Sequence, residues 1–206
     1  SYAASLGSSE IPEQEKGEFE KQLSKFYSIS VREKDIVSLV ANVSHKAVQL
    51  VLDPVFLQDY GCWSRLAGDS SVVNGKYVFL YQLHERQTQI AAQKLAEMKK
   101  LKLALIPNSL KGEVKGKKKY APSVEQFLNY IKNAEYVVTD SFHVAAFSLI
   151  FHKQVFVLMK SVEKGLNSRL LSLFEQIGLS DRILYQGEEV LNDLPDIDYD
   201  RVDKVL

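Results

Sequence analysis

The sequence predicts an α/β protein in which a parallel sheet is flanked by helices. Short apolar runs alternate with stretches whose apolar residues recur at helical spacing, along most of the chain. The links between them are short, and a strand–helix–strand order returns each strand parallel to the last. With 206 residues, 46% of them hydrophobic, the chain is long enough for one large domain or two small ones with a real core.

Taken in order, residues 2–4 read as the end of a strand, followed by a small-residue turn. Pro12 and Glu13 lead into a helix with Phe19, Leu23 and Phe26 on one face. Residues 27–33 alternate like a short strand. Residues 33–43 return to helical spacing, with Ile36, Val37, Leu39 and Val40 as the core face. Residues 47–54 form a strand stopped by Asp53-Pro54. Residues 55–75 hold Gly61, Gly68, Asp69, Ser70, Ser71, Asn74 and Gly75, and read as irregular, with a domain boundary inside them.

A new alternation starts at residues 76–83, a buried strand, followed by a helix over 86–100 and a strand over 102–107. Residues 108–122, with five lysines and two glycines, read as a solvated surface loop rather than a cover for an anionic ligand. Pro122-Ser123, with Glu125 and Gln126 in the first turn, opens a helix to residue 134. Residues 135–158 read as strand, helix and strand, and 167–178 as a helix closed by Gly178. An acidic end from residue 187 finishes in a short helix near Val202. The βαβαβαβα order from 76 to 184 is Rossmann-like, with helices on both faces. The expected organisation is a partial N-terminal Rossmann-like domain (1–60), a linker (61–75), a C-terminal Rossmann-like domain (76–186) and an acidic segment (187–206).

The 26 basic and 26 acidic residues balance, so nothing in the charge points to nucleic acid or an anionic membrane. The single cysteine, Cys62, cannot form a disulfide within these residues; it reads as a half-buried side chain beside Trp63, in a reduced, cytoplasmic setting. No leader-like segment opens the sequence. The most apolar stretch, 144–159, is broken by His152-Lys153-Gln154 and is too short to span a bilayer.

One point concentrates polar groups. Thr139-Asp140-Ser141-Phe142-His143 stands at the carboxyl end of a strand and in the first turn of the next helix. Ligands of parallel sheets collect at such ends, and the free N–H groups of a helix start attract anions. Asp140 or Ser141 could cap the helix; a hydroxyl and an imidazole there could bind phosphate or carboxylate, or move a proton. The residues alone leave cap and site equally open.

The stretch from Ala134 to Leu158 resembles the polysaccharide pyruvyltransferase family, whose pattern runs Thr-Asp-(Arg or Ser)-(Phe or Leu)-His-Gly, an apolar helix, Asn-Lys-Pro and a strand. Three further stretches resemble the same family in the same order. They are Ser-Val-Arg-Glu with Arg32, the Asp53-Pro54 segment with Trp63, and the Asn-Ser-Arg helix with Asn167, Arg169 and Arg182. Val144 stands where the pattern has Gly, and His152 and Gln154 replace Asn and Pro. Members extend past both ends of this sequence, so the expectation is a fragment, either a piece of a longer protein or the product of a shortened gene.

The resemblance implies a two-domain, GT-B-like α/β enzyme that transfers the enolpyruvyl unit of phosphoenolpyruvate to a sugar of a cell-surface or exopolysaccharide, or its lipid-linked precursor, forming a ketal. Phosphoenolpyruvate is then a substrate; no cofactor or metal is called for. His143 is expected as the phosphate or carboxylate contact and acid, with Asp140, Ser141, Phe142 and the N–H groups of 141–143 around the anion. Ser141 replaces a common Arg, which makes Lys160 the candidate for the missing charge. Arg32 and Arg169 are weaker donor contacts, and His84 shares the sheet edge. His45 and His152 read as loop and helix-end residues. The expected location is the cytoplasm, peripheral at most to the inner membrane face; a homo-oligomer stays open. Two other readings stand beside this one: a GT-B-type glycosyltransferase using a nucleotide sugar, and an inactive remnant.

Overall fold

A computed structural model of the chain describes residues 1–7, 10–83, 86–106, 122–159, 168–185, 188 and 194–206. It contains two parallel sheets. In the smaller, β1 (Ile29–Val31) pairs with β2 (Val48–Leu50), and Ala4 adds an isolated parallel bridge to Val31. Helices α1 (Lys16–Leu23) and α2 (Val37–Ser44) pack beside it. Ile29, Val31, Ile36 and Val40 form its core, with Leu23, Val37 and Val48 partly buried against them. Of the expected helical face, Ile36 and Val40 are buried, and Val37 and Leu39 only half-buried.

The larger sheet has five parallel strands: β3 (Tyr77–Tyr81), β4 (Lys102–Leu105), β5 (Tyr136–Thr139), β6 (Gln154–Leu158) and β7 (Ile183–Leu184), in the order β4-β3-β5-β6-β7. The side-chain period of two sends alternate residues to opposite faces. Tyr77, Phe79, Val137, Val155 and Val157 meet α5 (Val124–Lys132), α6 (Phe142–Ile150), α7 (Ser168–Gln176) and α8 (Tyr199–Val202). Val78, Leu80, Val138, Phe156 and Leu158 meet α4 (Arg86–Lys99). Both faces are therefore apolar, as the near-continuous hydrophobic strands require. Each fully buried Val, Leu or Phe there contributes about 1.5–3 kcal/mol. The Ser123–Gln126 capping box opens α5, and Gly178 (φ 69°) closes α7 in the left-handed region.

Two expectations change. Residues 55–75 are not irregular throughout: α3 (Tyr60–Ala67) lies inside them, capped by Asp59, whose carboxylate accepts the Cys62 N–H at 2.8 Å, and packed on α5. β7 is an added strand beyond the βαβαβαβα order. The lysine-rich stretch falls almost wholly outside the described residues.

Candidate functional site

The site is built on the turn between β5 and α6. In register, Thr139 lies between Tyr81 of β3 and Val157 of β6. Its hydroxyl donates to the Tyr81 carbonyl at 2.7 Å and accepts the Ser141 N–H at 3.0 Å. The Asp140 carboxylate accepts the Leu83 N–H at 2.6 Å, tying the loop after β3 to this turn. Of the two alternatives the sequence left open, the cap is not formed by Ser141, which occupies the N-cap position without a side-chain bond, and the Asp140 carboxylate turns to the Leu83 backbone. The first intrahelical bond runs from Ala145 N–H to the Ser141 carbonyl. The N–H groups of Phe142, His143 and Val144 precede it and have no partner within the helix. The Ser141 N–H, expected as an anion donor, is already taken by Thr139.

Three other elements deliver charge to this helix start. The end of β1 brings Arg32 and Glu33; the end of β2 brings Asp53; α7 brings Arg169. Asp53 accepts a hydrogen bond from Arg32 Nη1 with one oxygen and the Val55 N–H, at 3.0 Å, with the other. Glu33 Oε1 lies 3.9 Å from Arg169 Nε and accepts a hydrogen bond from the Ser5 hydroxyl. Both guanidiniums converge on one ring: the carbons at the centre of Arg32 and Arg169 each lie 5.7 Å from the Phe142 centroid. At that distance the ring face attracts each cation. The Phe142 and His143 rings meet edge to face at 5.4 Å. Trp63 locks the frame, donating to the Val55 carbonyl at 3.0 Å and packing on Phe147 of α6 at 4.9 Å.

His143 has an open edge to solvent, yet the protein around its other side pushes its pKa below the ordinary histidine value. Burial is the largest cause; Arg32 and Arg169 add to it, and Asp53 partly offsets it. The imidazole of the free site is thus neutral near pH 7, able to accept a proton. Burial raises the Glu33 pKa, against the hydrogen bond from Ser5 and the charges of Arg32 and Arg169.

Of the residues singled out from sequence, Arg32, Phe142, His143 and Arg169 come together, and Asp140 and Ser141 frame them. Phe142 is a platform for the arginines. Lys160 and His84 lie outside the described residues, as does Asn167. Arg182 is structural: buried, it donates to the Pro195 carbonyl and lies 5.1 Å over the Phe156 ring. His45 ends α2 with a left-handed φ of 54°. His152 pairs with Asp203 at 3.1 Å in a cleft of ≈ 420 Å³ at the other end of α6, where Asp59 and Asp203 disfavour an anion. Sequence reasoning missed Glu33 and Asp53 as site residues. The available signal was their place at strand carboxyl ends beside Arg32 and Pro54. Among the described residues, no helix is long and apolar enough to cross a membrane.

Parallel sheets flanked by helices, with two arginine–carboxylate pairs gathered at strand ends beside a helix N-terminus, define a Rossmann-like α/β protein. Residues 1–159 match the polysaccharide pyruvyl transferase family, which covers most of the chain; the protein belongs to that family of transferases. No curated protein and no solved structure matches the chain significantly. Arg169 and α7 lie beyond the matched residues.

Proposed function

We propose that this protein transfers the enolpyruvyl unit of phosphoenolpyruvate onto two hydroxyls of a sugar in a cell-surface glycan or its lipid-linked precursor, releasing phosphate. The observation that carries this reading is the convergence of Arg32, Arg169 and His143 at the start of α6, in a member of the pyruvyl transferase family. The donor bears a phosphate and a carboxylate. Two guanidiniums and the first-turn N–H groups of α6 match that pair of anions.

The chemistry needs a proton at the methylene carbon of the donor, which leaves an oxocarbenium-like centre at the neighbouring carbon. One sugar hydroxyl adds there and loses its proton to the base, the C–O bond to phosphate breaks, and the second hydroxyl adds and closes the ketal, its proton leaving on the departing phosphate. A bound dianion raises the proton affinity of His143, which is neutral in the free site. His143 then delivers the proton to carbon and, neutral again, takes one from a hydroxyl. In this reading Lys160 supplies further positive charge and His84 is a contact to sugar or donor. The reaction runs in the cytoplasm, where a lipid-linked acceptor would be met at the inner membrane face.

The test is phosphate release from phosphoenolpyruvate in the presence of a glycan acceptor. His143→Ala should lower turnover by about 10²–10⁴-fold, the range of a general acid–base group. Unchanged turnover removes His143 from the chemistry. Stabilisation by nucleotide sugars, with none by phosphoenolpyruvate, in a thermal-shift comparison would overturn the donor assignment.

A further inference from the structure

We infer that Glu33 is a positioning residue of the anion site: its buried carboxylate holds Arg169 against the Phe142 ring, so that Arg32 and Arg169 meet one doubly charged ligand together. Glu33 directly follows Arg32 at the end of β1 and is only 1% exposed. Carboxylates are buried this deeply only when paired. Its Oε1 takes the Ser5 hydroxyl and faces Arg169 Nε at 3.9 Å, while Oε2 is buried with no hydrogen bond among the described residues. A half-satisfied carboxylate is a poor way to stabilise a core, since an uncharged side chain of equal volume would cost less. Its burial is explained by what it holds.

Arg169 is long, a third exposed and carried on the first turn of α7. Without a counter-charge its guanidinium would spread into solvent, because holding it still costs side-chain entropy. The arrangement repeats the one at Arg32. There too a carboxylate at a strand's carboxyl end, Asp53, fixes a guanidinium over Phe142. The two pairs differ in reach. Arg32 and Asp53 belong to neighbouring strand ends of the small sheet. Glu33 instead reaches across to a helix of the large one, beside the Lys34 N–H bond to Ser172 Oγ at 3.1 Å. Arg169 lies outside the residues that match the family, so its place in the site rests on this contact.

The inference depends on the donor reading only for the identity of the anion, and the test separates the two. At pH 8, binding of phosphoenolpyruvate and of inorganic phosphate is measured calorimetrically for the wild type, Glu33→Gln, Arg169→Gln and the double variant. Glu33→Gln should weaken binding about tenfold in the wild-type background and leave it unchanged in the Arg169→Gln background, since the two act through one group. Equal loss in both backgrounds marks a merely structural role and overturns the inference, as does no loss at all. A ligand-free readout runs beside it: the Arg169 Nε–H resonance should shift and exchange faster with solvent in Glu33→Gln, and recover in part in Glu33→Asp. An unmoved resonance overturns the inference whether or not either anion binds. Phosphate binding as tight as phosphoenolpyruvate binding would instead count against the donor reading, leaving the role of Glu33 to the resonance.

Discussion

Removing the Asp53 carboxylate is the most informative perturbation of the framework. Its side chain is 2% exposed and that of its partner Arg32 18% exposed, so solvent does little to screen the pair. Deleting one member of a buried pair costs about 3–5 kcal/mol, because the other charge is left unpaired. The residual access of Arg32 puts the charge effect near the lower end, about 3 kcal/mol. Asp53 also accepts the Val55 N–H at the start of the 3₁₀ turn Pro54–Leu57, a cap worth about 1 kcal/mol. Asp53→Ala should therefore lose about 4 kcal/mol, a fall in Tm of about 8–16 °C for a chain of this length. Thermal and urea melts of Asp53→Ala, Arg32→Met and the double variant should show coupling of about 2–3 kcal/mol, since the double variant leaves no orphan charge. The His143 titration midpoint, followed by NMR, should fall further in Asp53→Ala and rise in Arg32→Met, because Asp53 raises that pKa and Arg32 lowers it. An Asp53→Ala protein that melts within 2 °C of the wild type, or an additive double variant, refutes the buried pair as described.

Two further outcomes follow from the same geometry. The folded pKa of His143 lies below its unfolded value of 6.5, so the unfolded chain binds the proton first as pH falls. His143 costs no stability above that value, and the loss grows from there down to the folded pKa; His143→Gln should flatten this part of the stability–pH curve, and an unchanged slope would remove the shift. Asn129 is 2% exposed; its amide nitrogen donates to the Ala67 and Ser70 carbonyls at 3.0 and 3.1 Å, and its oxygen accepts the Val72 N–H at 3.0 Å. Asn129→Ala should cost about 3 kcal/mol by orphaning these backbone groups and loosening the end of α3, measured by denaturant melts and by faster hydrogen exchange at Val72.

The large sheet is legible in the sequence because each strand from β3 to β6 is a compact apolar run and each helix between them has its own signal, such as the Ser123–Gln126 box. Helix α3 is not, because Gly61, Ser64 and Arg65 interrupt its apolar residues Trp63, Leu66 and Ala67 among many turn formers. Two residues, Ile183 and Leu184, are too few for β7 to show a period. At the site, His143 and Arg32 are visible as motif positions. Their partners are not, because Asp53 and Glu33 gain meaning only when β1, β2 and α7 are brought to one helix start. The same holds for Asp140, whose carboxylate looks like a helix cap until the backbone of Leu83 arrives beside it.

The cluster draws its parts from both sheets: Arg32, Glu33 and Asp53 from the small one, His143, Phe142 and Arg169 from the helices of the large one. On the proposed reading, an anion held by Arg32 and Arg169 together is a rivet between the two sheets. Its binding free energy would then appear as cohesion along the seam between the sheets, which the Lys34 N–H bond to Ser172 Oγ also crosses. On that reading, anion occupancy should raise the stability of the contacts between the sheets, and either can be followed through the other.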